Sequence, residues 1–171
     1  MKKNTIKPGH FVNNAGVSEI DLFTSISSEK ISRIMNVNLI GAMELTRKIL
    51  PAMISCKSGC IINISSMWGE AGASCEVDYS ASKAALIGFT KALAQEVAPS
   101  GIRVNCIAPG VIRTNMLDCY DEETLRTLAE DTPLGRLGTP EDIAAAARFL
   151  CSSSADFITG QVLGVNGGFV I

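Results

Sequence analysis

The sequence is poor in the side chains that many catalytic and metal sites require. It has one histidine, His10, in 171 residues, so a Ser-His-Asp triad could use only that residue and a zinc site would need other ligands. It contains no C-x-x-C pair. Its six cysteines are expected to be reduced, as in a cytoplasmic protein, because a chain of this size does not need disulfides to hold a core. The sequence therefore predicts no metal site.

Long apolar runs and a charge excess of either sign are also missing. No run approaches the roughly 18 apolar residues of a membrane helix, and none follows the basic Met1-Lys2-Lys3, so neither a membrane partner nor a signal peptide is expected. The 15 basic and 17 acidic residues give a net charge of -2, which does not favour nucleic acid as a partner. The 47% hydrophobic content excludes a disordered chain and suits one domain with a core.

Short β-branched runs, bounded by Gly, Ser, Pro or Asn, predict four buried strands at 10–13, 60–64, 103–107 and 161–165. Residues 1–9 show no apolar period and are interpreted as an irregular lead-in to a single domain over 10–171.

Helical periods lie between the predicted strands, at 28–53 and 79–98, after Asp121, and from Thr139-Pro140 to about Cys151. Strands that alternate with helices of this length indicate an α/β protein with a parallel sheet. Ligands in such sheets bind beyond the carboxyl ends of the strands, so the residues that follow each strand are the candidates for a site.

One polar residue interrupts the apolar face of the first long helix. Asn38 falls on a stripe that is predicted to be buried and that also contains Ile31, Met35, Ala42, Leu45 and Ile49. A buried amide that makes no hydrogen bond costs about 1–3 kcal/mol. Asn38 is therefore either a satisfied core amide or an amide that holds a water or a backbone group near a site.

A tyrosine and a lysine share one face at the start of the second long helix. Tyr79 and Lys83 are four residues apart, and a fixed ammonium beside a phenol favours the phenolate and lowers its pKa. The pair could serve as a general acid and base, although two exposed helix residues would show the same spacing. Ser66 follows the 60–64 strand, where its hydroxyl could bind a substrate carbonyl or could simply cap a loop.

With these residues the sequence resembles the short-chain dehydrogenases/reductases over roughly residues 10–171. The motifs that carry the resemblance are Asn13-Asn14-Ala15-Gly16, Asn38-Leu39, Ser66 with Tyr79-Ser80-Ala81-Ser82-Lys83, and Pro109-Gly110-Val111-Ile112-Arg113-Thr114. Within that family the sequence is most similar to 3-oxoacyl-acyl-carrier-protein reductases and to related sugar or alcohol dehydrogenases.

The resemblance implies an NAD- or NADP-dependent oxidoreductase that interconverts a carbonyl and an alcohol on a small molecule or an acyl thioester. Tyr79 would exchange the proton, and Lys83 would lower its pKa and bind the nicotinamide ribose. Ser66 would orient the carbonyl, and Asn38 would anchor a water. Further cofactor contacts are expected from Asn14, Ala15 and Gly16 on the adenosine side and from Pro109, Gly110, Ile112 and Thr114 at the nicotinamide end.

One family motif has no counterpart in the sequence. The Gly-rich turn Thr-Gly-x-x-x-Gly-x-Gly, which seats the cofactor pyrophosphate, is not found. We therefore expect a truncated Rossmann-type doubly wound parallel sheet of about four strands, with helices on both faces. The first of these strands would be an edge strand that leaves Phe11 and Val12 partly uncovered. Dinucleotide binding is expected to be weak. Three alternatives stay open: the catalytic two-thirds of a reductase, a non-catalytic remnant, or a domain completed by another polypeptide.

The resemblance also implies a homo-oligomer, because the helices at 28–53 and 79–98 match those of the family's main subunit interface. A row of small residues, Ala84, Gly88 and Ala92, would allow close helix contact there, or would pack within one subunit. Residues 116–135 are expected to form a mobile lid over the site, or else an ordinary acidic surface helix.

Overall fold

A computed structural model describes residues 9–171 as a parallel sheet with helices on both faces. In these residues the sheet has four parallel strands in the order β1-β2-β3-β4. The strands are β1 (His10–Asn13), β2 (Gly59–Ile64), β3 (Ile102–Pro109) and β4 (Val162–Val165). The predicted α/β class and Rossmann-type topology are confirmed. Residues 1–8 of the predicted lead-in lie outside the described residues.

Each crossover between strands contains at least one helix. The helices are α1 (Ser28–Met35), α2 (Gly41–Cys56), α3 (Trp68–Ala71), α4 (Val77–Val97), α5 (Glu122–Asp131) and α6 (Pro140–Cys151). The predicted start of α6 is confirmed, because Thr139 and Asp142 form a reciprocal capping box around Pro140. Residues 116–135 contain α5, an amphipathic helix that begins after the Asp121 cap.

The long segment from Ser28 to Cys56 is helical throughout but not uniform. A π-helical turn, Asn36–Ile40, joins α1 to α2 and widens the helix locally. The wider turn shifts the inward face, so that Ile34, Asn38, Ala42 and Thr46 are buried at four-residue intervals. The prediction that Leu45 lies on the buried stripe is wrong, since its side chain is 52% exposed.

The sheet divides the core into two layers. On one face, Ile61 and Val104 pack with α2 and α4. On the other face, Ile62 and Ile107 pack under α6. In the described residues β1 is an edge strand, and Val12 is 43% exposed while Phe11 is half-buried, as expected.

A chain of buried polar side chains connects the strands to the helices on the α2–α4 face. Asn13 Nδ2 donates to Thr46 Oγ1 at 3.0 Å and to Asn63 Oδ1 at 2.7 Å. Asn63 Nδ2 donates in turn to Thr90 Oγ1 at 2.8 Å. Because Asn13 and Asn63 are register partners, these bonds fix β1, β2, α2 and α4 relative to one another just below the strand ends.

Candidate active site

The carboxyl ends of the strands meet at one edge of the sheet. The chain continues the ladder past the strand ends: Ser65 N donates to Ile107 O at 2.8 Å, and Met67 N donates to Pro109 O at 2.9 Å. These bonds hold the residues that follow β2 against β3. The edge is therefore where an open parallel sheet places its ligand site.

Lys83 lies across this edge and is held at both ends. Its ammonium Nζ donates to Ile64 O at 2.9 Å, and its own backbone carbonyl accepts from Ser65 Oγ at 2.8 Å. The side chain is only 3% exposed. Burial lowers the pKa of Lys83 from 10.5 to about 8, with the nearby Cys106 thiol opposing that shift.

Tyr79 and Ser66 are buried beside Lys83. The Lys83 Nζ lies 5.7 Å from the centre of the Tyr79 ring. Burial raises the pKa of Tyr79, a hydrogen bond with Ser66 lowers it, and Glu76 raises it further. The net shift is upward, whereas the sequence predicts a pKa lowered by Lys83; desolvation of the phenolate outweighs any attraction to the ammonium here.

Asn38 joins the loop after β1 to the helix that carries Tyr79. Its Oδ1 accepts from Val17 N at 2.8 Å, and its Nδ2 donates to Val17 O at 2.9 Å and to Ser82 Oγ at 3.0 Å. Ser82 Oγ donates to Tyr79 O at 2.7 Å. The amide is satisfied and holds the backbone of Val17, and through Ser82 it is connected to the first turns of α4.

Gly16 approaches the Lys83 ammonium closely. A Cβ built at Gly16 would lie 3.1 Å from Lys83 Nζ and 3.6 Å from Asn38 Oδ1. A side chain at this position would crowd the ammonium and force it to shift by a few tenths of an ångström. The loop after β1 therefore packs directly against Lys83 and Asn38.

The Lys83 ammonium is suited to bind hydroxyl oxygens of a ligand. It carries three N–H donors, and among the described residues the structure gives it one acceptor, Ile64 O. The donors of a buried ammonium need acceptors, and the hydroxyls of a ribose have that chemistry. On this observation the site fits the sugar of a nicotinamide dinucleotide.

The predicted nicotinamide-end residues lie on the segment that follows β3. Pro109 ends β3, Gly110 N donates to Val165 O at 3.0 Å, and Ile112 pairs with Gly138. Thr114 is exposed, as are Asn14 and Ala15 after β1. Gly110 and Ile112 line a cavity of about 570 Å³ at the ends of β3 and β4, whose lining does not include Ser66, Tyr79 or Lys83.

The sequence assigns no role to three residues of the site, Ser65, Ser82 and Gly69. Ser65 donates a hydrogen bond to the backbone carbonyl of Lys83, and Ser82 donates one to that of Tyr79. Gly69 packs so closely on α4 that a Cβ at this position would lie 2.8 Å from the Lys83 carbonyl carbon. Ser82 is three residues after Tyr79, a spacing that allows such a bond within a helix. The contact at Gly69 depends on how α3 packs on α4, which no local pattern encodes.

A family model described as enoyl-(acyl carrier protein) reductase matches residues 2–170. The chain belongs to the short-chain dehydrogenase/reductase family. The family is one of NAD(P)-dependent oxidoreductases.

Curated relatives of known name support the same assignment. The chain is 46% identical over 158 residues to an uncharacterized oxidoreductase, YmfI, of Bacillus subtilis, covering 92% of this chain and 65% of the relative. It is similar to 3-oxoacyl-[acyl-carrier-protein] reductases of Aquifex aeolicus (46% identity, 92% of this chain, 63% of the relative) and Thermotoga maritima (42%, 94% and 65%). The chain thus spans somewhat less than two-thirds of the length of these short-chain dehydrogenases/reductases.

No helix in residues 9–171 is long and apolar enough to cross a membrane. Within the same residues no three His, Cys, Asp or Glu side chains are grouped closely enough to hold a metal ion.

Proposed function

We propose that the chain catalyses the NAD(P)-dependent interconversion of a carbonyl and an alcohol, with a 3-oxoacyl thioester as the favoured substrate. The observation that carries the proposal is the buried group of Ser66, Tyr79 and Lys83 at the carboxyl edge of the sheet. The substrate class rests on the relatives, several of which are named 3-oxoacyl-[acyl-carrier-protein] reductases. A cytoplasmic location stays a prediction from the sequence.

The proposed mechanism divides the work between three side chains. Tyr79 donates its phenolic proton to the carbonyl oxygen during reduction and accepts it during oxidation. Ser66 donates a hydrogen bond to the same oxygen and so stabilises the negative charge that develops on it. Lys83 binds the ribose hydroxyls, and its positive charge favours the Tyr79 phenolate. When bound, the nicotinamide supplies or accepts the hydride.

Several residues would hold the dinucleotide without taking part in proton transfer. The exposed Asn14 and Ala15, with Gly16, would line its adenosine side. The segment from Pro109 and Gly110 to Ile112 and Thr114 would hold its nicotinamide end. Asn38 is proposed to orient the Tyr79 turn through Ser82, a position from which a water could also be anchored.

The test of this function is turnover of the purified chain with a short 3-oxoacyl thioester and NADH or NADPH, followed by loss of cofactor absorbance. The matched control substrate is a trans-2-enoyl thioester, since the family model is described as an enoyl reductase. We expect the 3-oxoacyl compound to be reduced and the enoyl compound to be inert. The reverse preference would contradict the proposed substrate, and no turnover with either would favour the assembly-only alternative.

Dinucleotide binding is proposed to be weak for these 171 residues, because none of them matches the family's Gly-rich pyrophosphate turn. The single tryptophan is a suitable probe, since Trp68 N donates to Ser66 Oγ at 3.1 Å and its ring contacts Phe169 edge-on at 5.8 Å. We expect little change in Trp68 fluorescence at micromolar NADH or NADPH. Saturable quenching in that range, corrected with free tryptophan, would contradict weak binding.

We also propose that α2 and α4 form a subunit interface between two copies of this chain. Ala84, Gly88 and Ala92 are all exposed, and a Cβ at Gly88 would meet nothing within 4 Å. This exposure favours contact with a second copy over the alternative that the row packs within one subunit. Leu45 on α2 is also exposed, so both helices present side chains that a second copy could bury.

The interface predicts that Gly88→Arg converts the assembly to monomers. A long charged side chain at the centre of a close helix contact cannot be accommodated without separating the helices. The measurement is sedimentation velocity at matched concentrations, with Ala144→Arg on α6, also an exposed helical position, as the control. If Gly88→Arg and Ala144→Arg sediment alike, this face does not form the interface.

A further inference from the structure

Two cysteines that are distant in the sequence touch in the fold. Cys60 is in β2 and Cys151 is the last residue of α6, and their Sγ atoms lie 3.7 Å apart. All six cysteines lie in the described residues, and Cys60 and Cys151 are the two whose thiols are in contact. The contact is a product of tertiary structure, because 91 positions separate the two residues.

The pair lies away from the candidate active site. Cys60 is at the amino end of β2, whereas Ser65 and Ser66 follow its carboxyl end. The side chain of Cys60 points to the α6 face of the sheet, and the candidate catalytic helix α4 packs on the other face. The contact therefore needs an explanation that is independent of the proposed reductase chemistry.

Hydrogen bonds fix the end of α6 against the sheet and so hold the two thiols together. Arg103 on β3 donates from Nη1 to Leu150 O at 2.6 Å and from Nη2 to Ser152 O at 3.3 Å. The Cys60 thiol donates to the same Leu150 carbonyl at 3.5 Å. Bond formation would shorten the sulfur separation from 3.7 Å to about 2.0 Å.

The two sulfurs differ in how easily a solute can reach them. Cys60 is 2% exposed, whereas Cys151 is half-buried. Burial raises the pKa of the Cys60 thiol to about 12, the adjacent Cys151 raises it as well, and the Arg103 guanidinium partly opposes both effects. Because the thiolate is the nucleophile in exchange reactions, Cys151 is the group that meets an oxidant first.

We propose that Cys60 and Cys151 form an oxidisable dithiol, which a small-molecule disulfide closes into an intramolecular bond between β2 and the end of α6. In the first step the Cys151 sulfur attacks the small disulfide, forms a mixed disulfide and releases one small thiol. In the second step the Cys60 sulfur displaces the second small thiol and forms the Cys60–Cys151 bond. The two protein thiols lose two electrons and two protons, and the two released thiols carry them.

The bond would link elements that are separated by a long stretch of chain. A disulfide between residues 91 positions apart strongly reduces the conformational freedom of the unfolded chain. For a chain of this size the midpoint of thermal unfolding is expected to rise by about 5–10 °C. The dithiol would thus couple the stability of the domain to the thiol–disulfide balance of its surroundings.

The experiment treats the purified chain with oxidised glutathione and locates the modified cysteines by non-reducing peptide mapping. The exposed or half-buried Cys56, Cys75 and Cys119 are first replaced by serine, so that they cannot form bonds between molecules. Trypsin then places the two candidate cysteines on separate peptides, 58–83 and 149–171. We expect these peptides to be joined, with the loss of two hydrogen masses, in the folded chain.

Two single variants separate the steps. In Cys60→Ser the mixed disulfide on Cys151 is expected to persist, and in Cys151→Ser the buried Cys60 is expected to stay reduced. The rate at which Cys60 displaces the small thiol from the mixed disulfide should rise about tenfold per pH unit between pH 7 and 9, because the Cys60 sulfur must lose its proton first. The proposal fails if glutathione remains on Cys151 in the presence of Cys60, or if the joined peptides form only in urea.

Discussion

Replacing Tyr79 by phenylalanine is expected to lower kcat/KM for 3-oxoacyl thioester reduction by roughly 10²–10⁴-fold, the usual contribution of a positioned general acid. The substitution removes the phenolic oxygen and leaves the ring. Tyr79 is 8% exposed, and its ring lies beside the Lys83 ammonium. The aromatic packing that holds the first turns of α4 is retained, so the loss should appear in catalysis and not in folding.

The structure offers a matched control for this substitution. Tyr120, the other tyrosine of the sequence, lies outside the strand-end group and is half-buried before α5. Tyr120→Phe is expected to change kcat/KM by less than about twofold, since a partly exposed hydroxyl away from the reacting atoms contributes little. Equal activities for Tyr79→Phe and Tyr120→Phe would contradict the role proposed for Tyr79.

The alternation of strands and helices could be predicted because each element carries its own local signal. The strand at 10–13 is bounded as predicted, and the Thr139-Pro140 start of α6 follows from a capping pattern that uses only neighbouring residues. The buried face of the first long helix could not be predicted as well. A 3.6-residue period places Leu45 inside, whereas the π turn at Asn36–Ile40 brings Thr46 inside, where it binds Asn13.

The candidate site shows the same division between local and tertiary information. The spacing of Tyr79 and Lys83, four residues apart on one helix, is enough to predict that they are neighbours. The direction of the Tyr79 pKa shift could not be predicted in the same way, because it depends on how deeply the folded chain buries the phenol. Likewise, the serine that fixes the Lys83 backbone, Ser65, is recognised only once β2 and α4 are packed.

The second large effect concerns the pH dependence of stability. In Lys83→Met, the free energy of unfolding relative to the unmodified chain is expected to change by about 3 kcal/mol between pH 8 and 10.5. The value follows from a Lys83 pKa that burial lowers from 10.5 in the unfolded chain to about 8 in the folded one. Methionine matches the length and apolar stem of lysine, so the packing under Gly16 and Ile64 is preserved.

The sign follows from which state binds more protons. Between pH 8 and 10.5 the unfolded chain keeps the Lys83 proton while the folded chain has lost it, so this group makes the free energy of unfolding rise with pH. Below pH 8 the charged, buried ammonium destabilises the fold by a constant amount. Buried acids act in the opposite direction in alkaline solution, because burial raises the pKa of Cys106 to about 11 and also raises that of Tyr79.

Those opposing groups are present in both proteins, and Lys83 is the last of the causes that shift the pKa of Cys106, so the difference between the proteins reports mainly on Lys83. Urea unfolding at pH 7, 8, 9 and 10.5 measures it, and Lys91→Met, which removes an exposed lysine from the same helix, controls for the loss of one positive charge. The stability advantage of Lys83→Met over the unmodified chain should be greatest at pH 7 and smallest at pH 10.5. If the difference in unfolding free energy between the two proteins stays constant across this range, the Lys83 ammonium is not buried. The role proposed for it beside Tyr79 would then lose its physical basis.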